Sequence, residues 1–335
     1  MNNSEFIKGS VGEINNLLSS LMTRKQSILD DAYSKGDEDK CNPLDTSYAR
    51  YLEMMGRMRK PVSCPRIVYQ GEPGAYSEAA ARSFFGRDVN AKGLLRFEDT
   101  FLALASGEAD YAVLPIENSS TGAIRQVYDL LESYSYFFVG ETTVRIDHAL
   151  MALPGVSMDQ IREVYSHEQG LFQCEKFLAQ HPEWKTFTHP DTAGSARMVA
   201  ELKDPCKAAI CSPLAADIYG LDILLEKVNT NSSNTTRFVV VSPFPELRQN
   251  RDKICISLTT GHRSGALRNI LTVFSVNGIN LQRLESRPIP EHNWEYMFFI
   301  EFTGDLESRA MDAVIHELCL MSDDLRVLGN FKNNL

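Results

Sequence analysis

The sequence has no long apolar run. No apolar stretch among its 335 residues reaches the roughly 18 residues that a membrane-spanning helix needs. The segment MNNSEFIKGS at the start also lacks the basic stretch and the following apolar stretch of a secretory signal. We therefore expect a cytoplasmic protein with no membrane partner.

Patterned cysteines are also absent. The seven cysteines are odd in number and none stands in a CxxC spacing, so the sequence predicts reduced thiols, without a disulfide framework or a zinc site. No HExxH, GxSxG or Walker pattern occurs, which disfavours metalloproteases, serine hydrolases and P-loop proteins. We therefore expect neither a metal nor a cofactor.

Basic residues are too few for a protein that binds nucleic acid. The chain has 44 acidic and 34 basic residues, which gives a formal net charge of −10 and a pI near 5.3. The electrostatic field of this negative net charge repels polyanions, and no local cluster of basic residues reverses it. The sequence therefore predicts no nucleic-acid partner.

The composition that remains is that of a folded globular chain. Hydrophobic residues make up 43% and charged residues 23%. The length suggests two or three domains. Shifts in pattern divide the chain into three blocks, at residues 1–64, 66–244 and 252–331.

The first block is helical in pattern. Ile14, Leu18 and Leu21 recur at helical spacing, which predicts a helix over about 11–34. A shorter amphipathic helix is predicted over 48–58, before two prolines that mark a linker.

The middle block alternates strand-like and helix-like segments, as α/β domains do. The predicted strands lie at 66–70, 111–115, 163–166, 208–211 and 238–241, and the predicted helices at 78–85 and 123–131. Polar turns follow several of these strands. The sequence therefore predicts an α/β fold for this block.

The last block has a different order of elements. The predicted strands lie at 253–259, 280–287, 294–303 and 325–330, and the predicted helices at 265–277 and 307–321. The order β-α-β-β-α-β is that of a ferredoxin-like module.

Three turns of the middle block share one design, in which a strand ends, small polar residues follow and a helix begins. They are GEPGAYS (71–77), PIENSSTG (115–122) and DTAGS (191–195). The N–H groups at a helix start can hold a carboxylate or a phosphate. The alternative is that these serine, threonine and asparagine residues only cap the helices.

A further polar run, NSSNTTR (231–237), leads into the apolar strand FVVV and places Thr236 and Arg237 at the strand mouth. Arg237 has the planar, permanently charged fork that binds a carboxylate through two hydrogen bonds, although a surface ion pair is an alternative. His167, in the turn SHEQ, could act as a general acid or base, or could form a helix cap.

Together and in this order, the segments resemble prephenate dehydratase followed by an ACT domain. The matching segments are GEPGAYSEAAA (71–81), GEADYAVLPIENSSTGAI (107–124), YSHEQGLFQCEKFL (165–178), AAICSPLAADIYGL (208–221), TTRFVVV (235–241), GALRNIL (265–271) and LESRPI (284–289). The resemblance spans 66–331 almost completely. It implies a two-lobed dehydratase domain at 66–244, similar to a periplasmic binding protein, and a ferredoxin-like ACT domain at 252–331.

The resemblance also implies an activity, the loss of water and CO2 from prephenate to give phenylpyruvate in phenylalanine biosynthesis. By motif, Thr236 is the essential hydroxyl at the leaving C4 oxygen and Arg237 holds a carboxylate. The residues implied in substrate binding are Ser77, Asn118, Ser119, Thr121, Ser195 and Phe238. The candidates for a general acid are Glu72, Glu117 and His167.

The ACT motifs imply feedback inhibition by L-phenylalanine, bound between paired ACT domains of a homodimer or tetramer. The implied effector site comprises Gly265, Ala266, Leu267, Asn280, Leu281, Glu285, Ser286 and Arg287. The alternative is that Gly265 only starts a helix and that the following motif is a structural strand end.

The first block resembles only the first helix of a chorismate mutase domain, with Arg24 and Lys35 as two chorismate-binding cations. It is too short for that domain's three helices. We therefore expect a degenerate mutase-like segment that aids dimerisation, with an active or partner-completed mutase as the alternative. For the dehydratase part, the alternatives are an arogenate dehydratase, whose substrate carries an amino group in place of the keto oxygen, and a non-catalytic amino-acid sensor.

Overall fold

The computed structural model describes residues 43–261, 263–289 and 296–334. The strands of this part form three sheets. The helix predicted for the start of the chain, with Arg24 and Lys35, lies outside the described residues. No helix in the described part is both long enough and apolar enough to cross a bilayer.

Helices and strands alternate along the middle of the described chain, as predicted, although several of the elements were not foreseen. The first are α1 (Pro43–Gly56), β1 (Ile67–Gln70), α2 (Tyr76–Phe85), β2 (Ala91–Leu94), α3 (Phe97–Ala105), β3 (Tyr111–Asn118), β4 (Gly122–Ala123), α4 (Arg125–Tyr134) and β5 (Phe137–Arg145). Next come β6 (Ala149–Ala152), a 3₁₀ turn (Met158–Gln160), β7 (Glu163–Ser166), α5 (Glu168–Gln173), α6 (Glu175–Leu178), β8 (Lys185–Thr188), α7 (Thr192–Leu202), β9 (Lys207–Cys211), α8 (Pro213–Tyr219) and β10 (Asp222–Leu225). The last are β11 (Thr235–Ser242), β12 (Lys253–Thr259), α9 (Ala266–Val276), β13 (Leu281–Pro288), β14 (Tyr296–Thr303), α10 (Arg309–Met321) and β15 (Asp324–Phe331).

Two segments that were predicted as polar turns are in part strand. β3 continues to Asn118 and β11 begins at Thr235, because the ends of these strands pair with each other. Thr236 lies opposite Asn118, and Arg237 lies opposite Glu117. These polar residues therefore lie on a sheet, where neighbouring side chains point to opposite faces.

The first sheet has the strand order β2-β1-β3-β11-β5, with β4 paired to β3. β1 is parallel to β2 and β3, whereas β11 is antiparallel to β3 and β5. Helix α2 packs on one face through Ala80 and Ala81, and helices α3 and α4 pack on the other through Phe101 and Leu131. This sheet and its helices form the first lobe.

The second sheet has the order β10-β6-β9-β7-β8 and forms the second lobe. β7 is parallel to β8 and β9, and β6 is antiparallel to β9 and β10. The chain passes between the lobes twice, at 146–148 and at 226–234. The two-lobed architecture implied by the resemblance is therefore confirmed.

The third sheet is antiparallel, with the order β13-β14-β12-β15. Helices α9 and α10 pack against it through Ile270 and Ile315, and α1 adds Tyr51 to the same core. The predicted β-α-β-β-α-β order is confirmed.

The third sheet shares a hydrophobic core with the first lobe. Phe299 and Leu328 of the third sheet are buried in one cluster with Val239 of β11. Gly329 lies so close to β5 that an added Cβ would be 2.0 Å from the Phe138 carbonyl oxygen, so this approach of two backbones requires glycine. The third sheet is therefore packed directly against the sheet that carries Thr236.

Candidate active site

A cleft of about 410 Å³ opens between the first and second lobes. Both lobes and the first connecting segment contribute side chains to it. The polar and aromatic residues among them are Gln70, Tyr76, Ser77, Phe97, Asn118, Thr121, His148, His167, Gln169, Gln173, Asp191, Thr192, Thr236 and Phe238. Of the predicted site residues, the structure thus brings together Ser77, Asn118, Thr121, His167, Thr236 and Phe238.

The two lobes also contact each other directly. Gln169 Nε2 of the second lobe donates to Thr121 Oγ1 of the first lobe at 3.2 Å. Arg197 of α7 forms an ion pair with Glu72, N to O 3.1 Å, in the turn before α2. The cleft is therefore bounded from both sides by lobes that are in contact.

Thr236 is held by the side-chain amide of Asn118. Asn118 Nδ2 donates to Thr236 Oγ1 at 2.9 Å and to Asn234 Oδ1 at 2.8 Å. Asn118 Oδ1 accepts from the backbone N–H groups of Ser120 at 2.9 Å and Thr121 at 3.2 Å, which sets the orientation of the amide. Because Thr236 Oγ1 accepts from Asn118, the threonine's own proton can be donated to a molecule in the cleft.

The prediction for Arg237 is wrong, because this side chain does not line the cleft. Its exposed fraction is 5%. Its Nε donates to Glu141 at 2.8 Å and its Nη2 donates to Glu301 of β14 at 2.6 Å. Strand alternation turns it away from Thr236 and toward the third sheet. Arg237 does bind carboxylates, but they belong to the protein.

This buried charge cluster contains a second cation. Lys253 Nζ donates to Glu141 at 2.5 Å, and both side chains are fully buried. Burial acts to lower the pKa of Arg237, but Glu301 and Glu141 outweigh it and raise that pKa above its ordinary value. Arg237 is therefore charged at every working pH and joins the first lobe to the third sheet.

Two of the predicted substrate-binding serines lie outside the cleft lining. Ser195 is fully buried, and its hydroxyl donates to the Thr192 carbonyl oxygen within the first turn of α7 at 2.5 Å. Ser119 Oγ accepts from the backbone N–H of Thr235 at 3.0 Å, beside the paired ends of β3 and β11. In both cases the hydroxyl stabilises local structure, which is the alternative that the turn pattern had left open.

The three candidate acids have different surroundings. Glu72 is paired with Arg197, and Glu117 forms an ion pair with Arg283 of β13. His167 lines the cleft and caps α5, where its Nδ1 accepts from Gln169 N at 3.2 Å. Since Nδ1 accepts, the proton of a neutral His167 ring is on Nε2, where it can be donated.

Three cleft residues were missed by the sequence analysis, and they touch one another. His148 Nδ1 lies 3.1 Å from Tyr76 Oη, and His148 Nε2 lies 2.9 Å from Gln173 Oε1. Burial lowers the pKa of His148 below its usual value. His148 follows a strand end in an unpatterned stretch, so only the meeting of the two lobes reveals this group.

The polar residues that line the cleft are neutral except for the carboxylate of Asp191, which caps α7. Neither lysine nor arginine is found among the residues that line it, in the part of the chain that the structure describes. Helix α2 begins at the cleft with Tyr76 and Ser77, and its N-cap, Ala75, forms no side-chain capping bond. The start of α7 is instead capped by Asp191, which accepts from Gly194 N at 2.6 Å. The first turn of α2 is therefore the better place for an anion.

The predicted effector residues lie on α9 and β13 or next to them. Gly265 precedes α9 with a φ of +86°, a conformation that favours glycine. Arg287 of β13 binds both carboxylate oxygens of Asp129 on α4, at 2.7 and 2.9 Å. The strand that carries Glu285 and Ser286 is thereby joined to the first lobe.

Comparison with known proteins decides the family. The family model for prephenate dehydratase matches residues 67–245, just over half of the 335 residues. The chain belongs to the prephenate dehydratase family. The bifunctional chorismate mutase/prephenate dehydratase of Escherichia coli strain K12 is 39% identical to this dehydratase over 270 residues, which are 79% of this chain and 70% of that protein.

Two further relatives bear on the function of this chain. Arogenate dehydratase 3, chloroplastic, of Arabidopsis thaliana is 38% identical over 284 residues, 79% of this chain and 66% of that protein. The prephenate dehydratase of Arthrobacter aurescens, solved in complex with L-Phe, has a TM-score of 0.72 and 30% identity, covering 80% of this chain and 90% of that one.

Proposed function

We propose that this member of the prephenate dehydratase family converts prephenate to phenylpyruvate, CO2 and water in the cleft between its lobes, with Thr236 at the leaving oxygen. The hydrogen bond from Asn118 Nδ2 to Thr236 Oγ1 at 2.9 Å carries the proposal. It leaves the threonine proton for a second acceptor, and the C4 hydroxyl of prephenate is such an acceptor.

The reaction breaks two bonds of the substrate. The pair of electrons from the bond between C1 and the ring carboxylate moves into the ring, CO2 departs, and the C4 oxygen leaves with its electron pair and a proton to form water. A threonine hydroxyl is too weak an acid to supply that proton alone. His167 is the candidate acid that lines the cleft, and it would donate from Nε2 as the imidazolium, a form in which Nδ1 also carries a proton and no longer accepts from Gln169 N. Such a group contributes about 10²- to 10⁴-fold in rate.

The absence of cations from the described lining fits the decarboxylation. A lysine or arginine paired with the ring carboxylate would stabilise the charged starting state, whereas neutral surroundings favour loss of CO2. The pyruvyl carboxylate would lie at the first turn of α2, where N–H groups and the helix dipole attract an anion. Phe238 supplies an apolar wall for the ring.

Feedback control belongs to the same proposal. L-phenylalanine would bind near Gly265, at the start of α9, and Glu285, within β13, and the Arthrobacter aurescens relative was solved with L-Phe. Binding would change the packing of paired third sheets in a homodimer or tetramer. Arg287 and Arg283 of β13, which hold Asp129 and Glu117 of the first lobe, would carry that change to the cleft.

Arogenate is the second candidate substrate, because the Arabidopsis thaliana relative is named an arogenate dehydratase. Arogenate places an ammonium where prephenate has a keto oxygen. A cleft that presents donors disfavours this group, so we expect kcat/KM to be higher for prephenate. Parallel assays with both substrates decide between them, and higher kcat/KM with arogenate would reverse the assignment.

The decisive test is phenylpyruvate formation by the wild type and by Thr236→Val, each with and without L-phenylalanine. Thr235→Val is the matched control, since the Thr235 hydroxyl donates to the Ser233 carbonyl oxygen at 3.3 Å, and Thr235 does not line the cleft. We expect Thr236→Val to lose about 10²- to 10⁴-fold in kcat and Thr235→Val to resemble the wild type. A wild type that is inactive with both prephenate and arogenate would favour the non-catalytic sensor.

A further inference from the structure

His148 lies in the first of the two segments that connect the lobes and has an exposed fraction of 2%. Its backbone N–H donates to Asn229 Oδ1 at 3.1 Å, and its carbonyl oxygen accepts from Val228 N at 2.9 Å. Both partners lie in the second connecting segment, 226–234. The backbone of His148 is therefore held by both connections between the lobes.

The ring of His148 reaches one helix of each lobe. Nδ1 contacts Tyr76 Oη at the start of α2, at 3.1 Å, and Nε2 contacts Gln173 Oε1 at the end of α5, at 2.9 Å. Tyr76 and Gln173 both line the cleft. One buried imidazole thus links two opposite walls of the site.

The two partners link the position of the proton on the ring to the placement of the Gln173 amide. With Gln173 Oε1 placed against Nε2 at 2.9 Å, the amide oxygen can only accept, and this placement goes with a hydrogen on Nε2. Burial lowers the pKa of His148 against the raising effects of Gln173 and Asp147, which leaves the ring neutral near pH 7. Nδ1 then accepts from Tyr76, whose own pKa burial raises well above the usual value.

The tautomer of His148 and the orientation of the Gln173 amide are coupled, so fixing one fixes the other. A half-turn of the amide would place its N–H groups against the N–H of His148, so that two donors would face each other. In the Nε2–H tautomer the amide oxygen stays on the ring, and the N–H groups remain for a ligand in the cleft that Gln173 lines. A carboxylate or keto oxygen is the acceptor that matches them.

We propose that His148 is a positioning residue that, as the Nε2–H tautomer, holds the N–H groups of Gln173 toward the substrate and makes this wall a donor to an anionic oxygen. In the opposite tautomer, Nδ1–H would donate to Tyr76, and Gln173 would present its oxygen to the cleft and repel a carboxylate. The identity of the substrate rests on the proposed function, whereas the tautomer does not.

The tautomer can be measured directly in the unliganded protein. Long-range ¹H–¹⁵N spectra of histidine-labelled wild type distinguish protonated from unprotonated ring nitrogens, and the His148 signals are those missing in His148→Gln. We expect Nε2 protonated and Nδ1 unprotonated at pH 7.5. A protonated Nδ1 on a neutral ring overturns the proposal, whether or not the protein acts on prephenate.

Kinetics test the consequence for binding. His148→Asn can replace only Nδ1 and loses the bond to Gln173, whereas His148→Gln places an amide N–H near the position of Nε2. We expect His148→Asn and Gln173→Glu to raise KM for prephenate about tenfold to a hundredfold with kcat little changed, and His148→Gln to raise it less. The double variant His148→Asn/Gln173→Glu should add little to either single change.

His181→Asn is the control, since His181 stacks on Trp184 away from the cleft, and its KM should equal that of the wild type. Thermal melts confirm that each variant is folded. If the asparagine and glutamine variants of His148 raise KM equally, or if neither raises it, the positioning role is wrong.

Discussion

Thr236 and Arg237 are consecutive residues of β11, but their side chains lie on opposite faces of the first sheet. Thr236 Oγ1 accepts from Asn118 in the cleft, and Arg237 Nη2 donates to Glu301 of the third sheet at 2.6 Å. One strand therefore connects the proposed leaving-group site with the sheet that is expected to bind the effector. A displacement of β11 changes both environments at once.

Replacing Arg237 by methionine should destabilise the fold strongly. The change leaves Glu301 with Lys253 at 3.7 Å in place of its close partner, and leaves Glu141 with Lys253 and the Asn334 N–H. Loss of one member of a buried ion pair costs about 3 to 5 kcal/mol, which urea denaturation would measure as a lower free energy of unfolding. Arg237→Met/Glu301→Gln should recover part of the loss. If Arg237→Met stays stable but raises KM for prephenate, Arg237 binds substrate after all.

Asn118→Asp should lower activity without disturbing the turn. The aspartate keeps an oxygen to accept from Ser120 and Thr121, but it cannot donate to Thr236 or Asn234. We expect kcat/KM for prephenate to fall about a hundredfold, because the hydroxyl loses its orientation and gains a negative neighbour.

Asn231→Asp is the matched control for this change. Asn231 Oδ1 accepts from Ser233, and an aspartate keeps that bond. Its kcat/KM should stay near the wild-type value. A similar loss in both variants would mean that negative charge near the cleft, and not the bond to Thr236, lowers the rate.

Asp129→Asn should weaken feedback inhibition while basal turnover remains. The change weakens the two bonds from Arg287 to α4, and because the pair is partly exposed it contributes about 1 kcal/mol or less to stability. We expect the L-phenylalanine concentration for half-inhibition to rise about fivefold. Glu53→Gln, which affects only an exposed pair with Arg57, is the control. Unchanged inhibition would show that Arg287 does not couple the sheets.

His148 should make the fold less stable in mild acid. Burial depresses its folded pKa below the ordinary 6.5, so the unfolded chain binds more protons as pH falls below 6.5. The free energy of unfolding should then drop by up to about 1.4 kcal/mol per pH unit until pH reaches the folded pKa. His148→Gln, which cannot titrate, should lack this slope between pH 6.5 and 5. If the free energy of unfolding changes with pH in the same way for the wild type and for His148→Gln, the His148 ring is readily protonated in the folded protein.

The order of helices and strands was predictable because it depends on local patterns of apolar and polar residues. The positions at which strands end were harder to predict. β3 reaches Asn118 and β11 starts at Thr235 because these segments pair with each other, and the pairing joins residues far apart in the chain. Polar composition alone had favoured turns at both places.

The candidate site was predictable only where local patterns identify its residues. Turns after strands identified Ser77, Asn118 and Thr121, since strand ends and helix starts meet at one side of an α/β lobe. They did not reveal that Ser195 bonds within its own helix, or that His148 stands between the lobes. Those facts depend on how the lobes meet.

The sequence by itself determined the family, the order of elements and the hydroxyl and amide groups available for chemistry, because motifs and periodicity are properties of neighbouring residues. The tertiary structure alone decided which face of β11 carries each side chain. It decided that Arg237 pairs with Glu141 and Glu301. It also decided the partners of His148. Burial and pairing across lobes and sheets fix such partners, and no local pattern in the chain contains them.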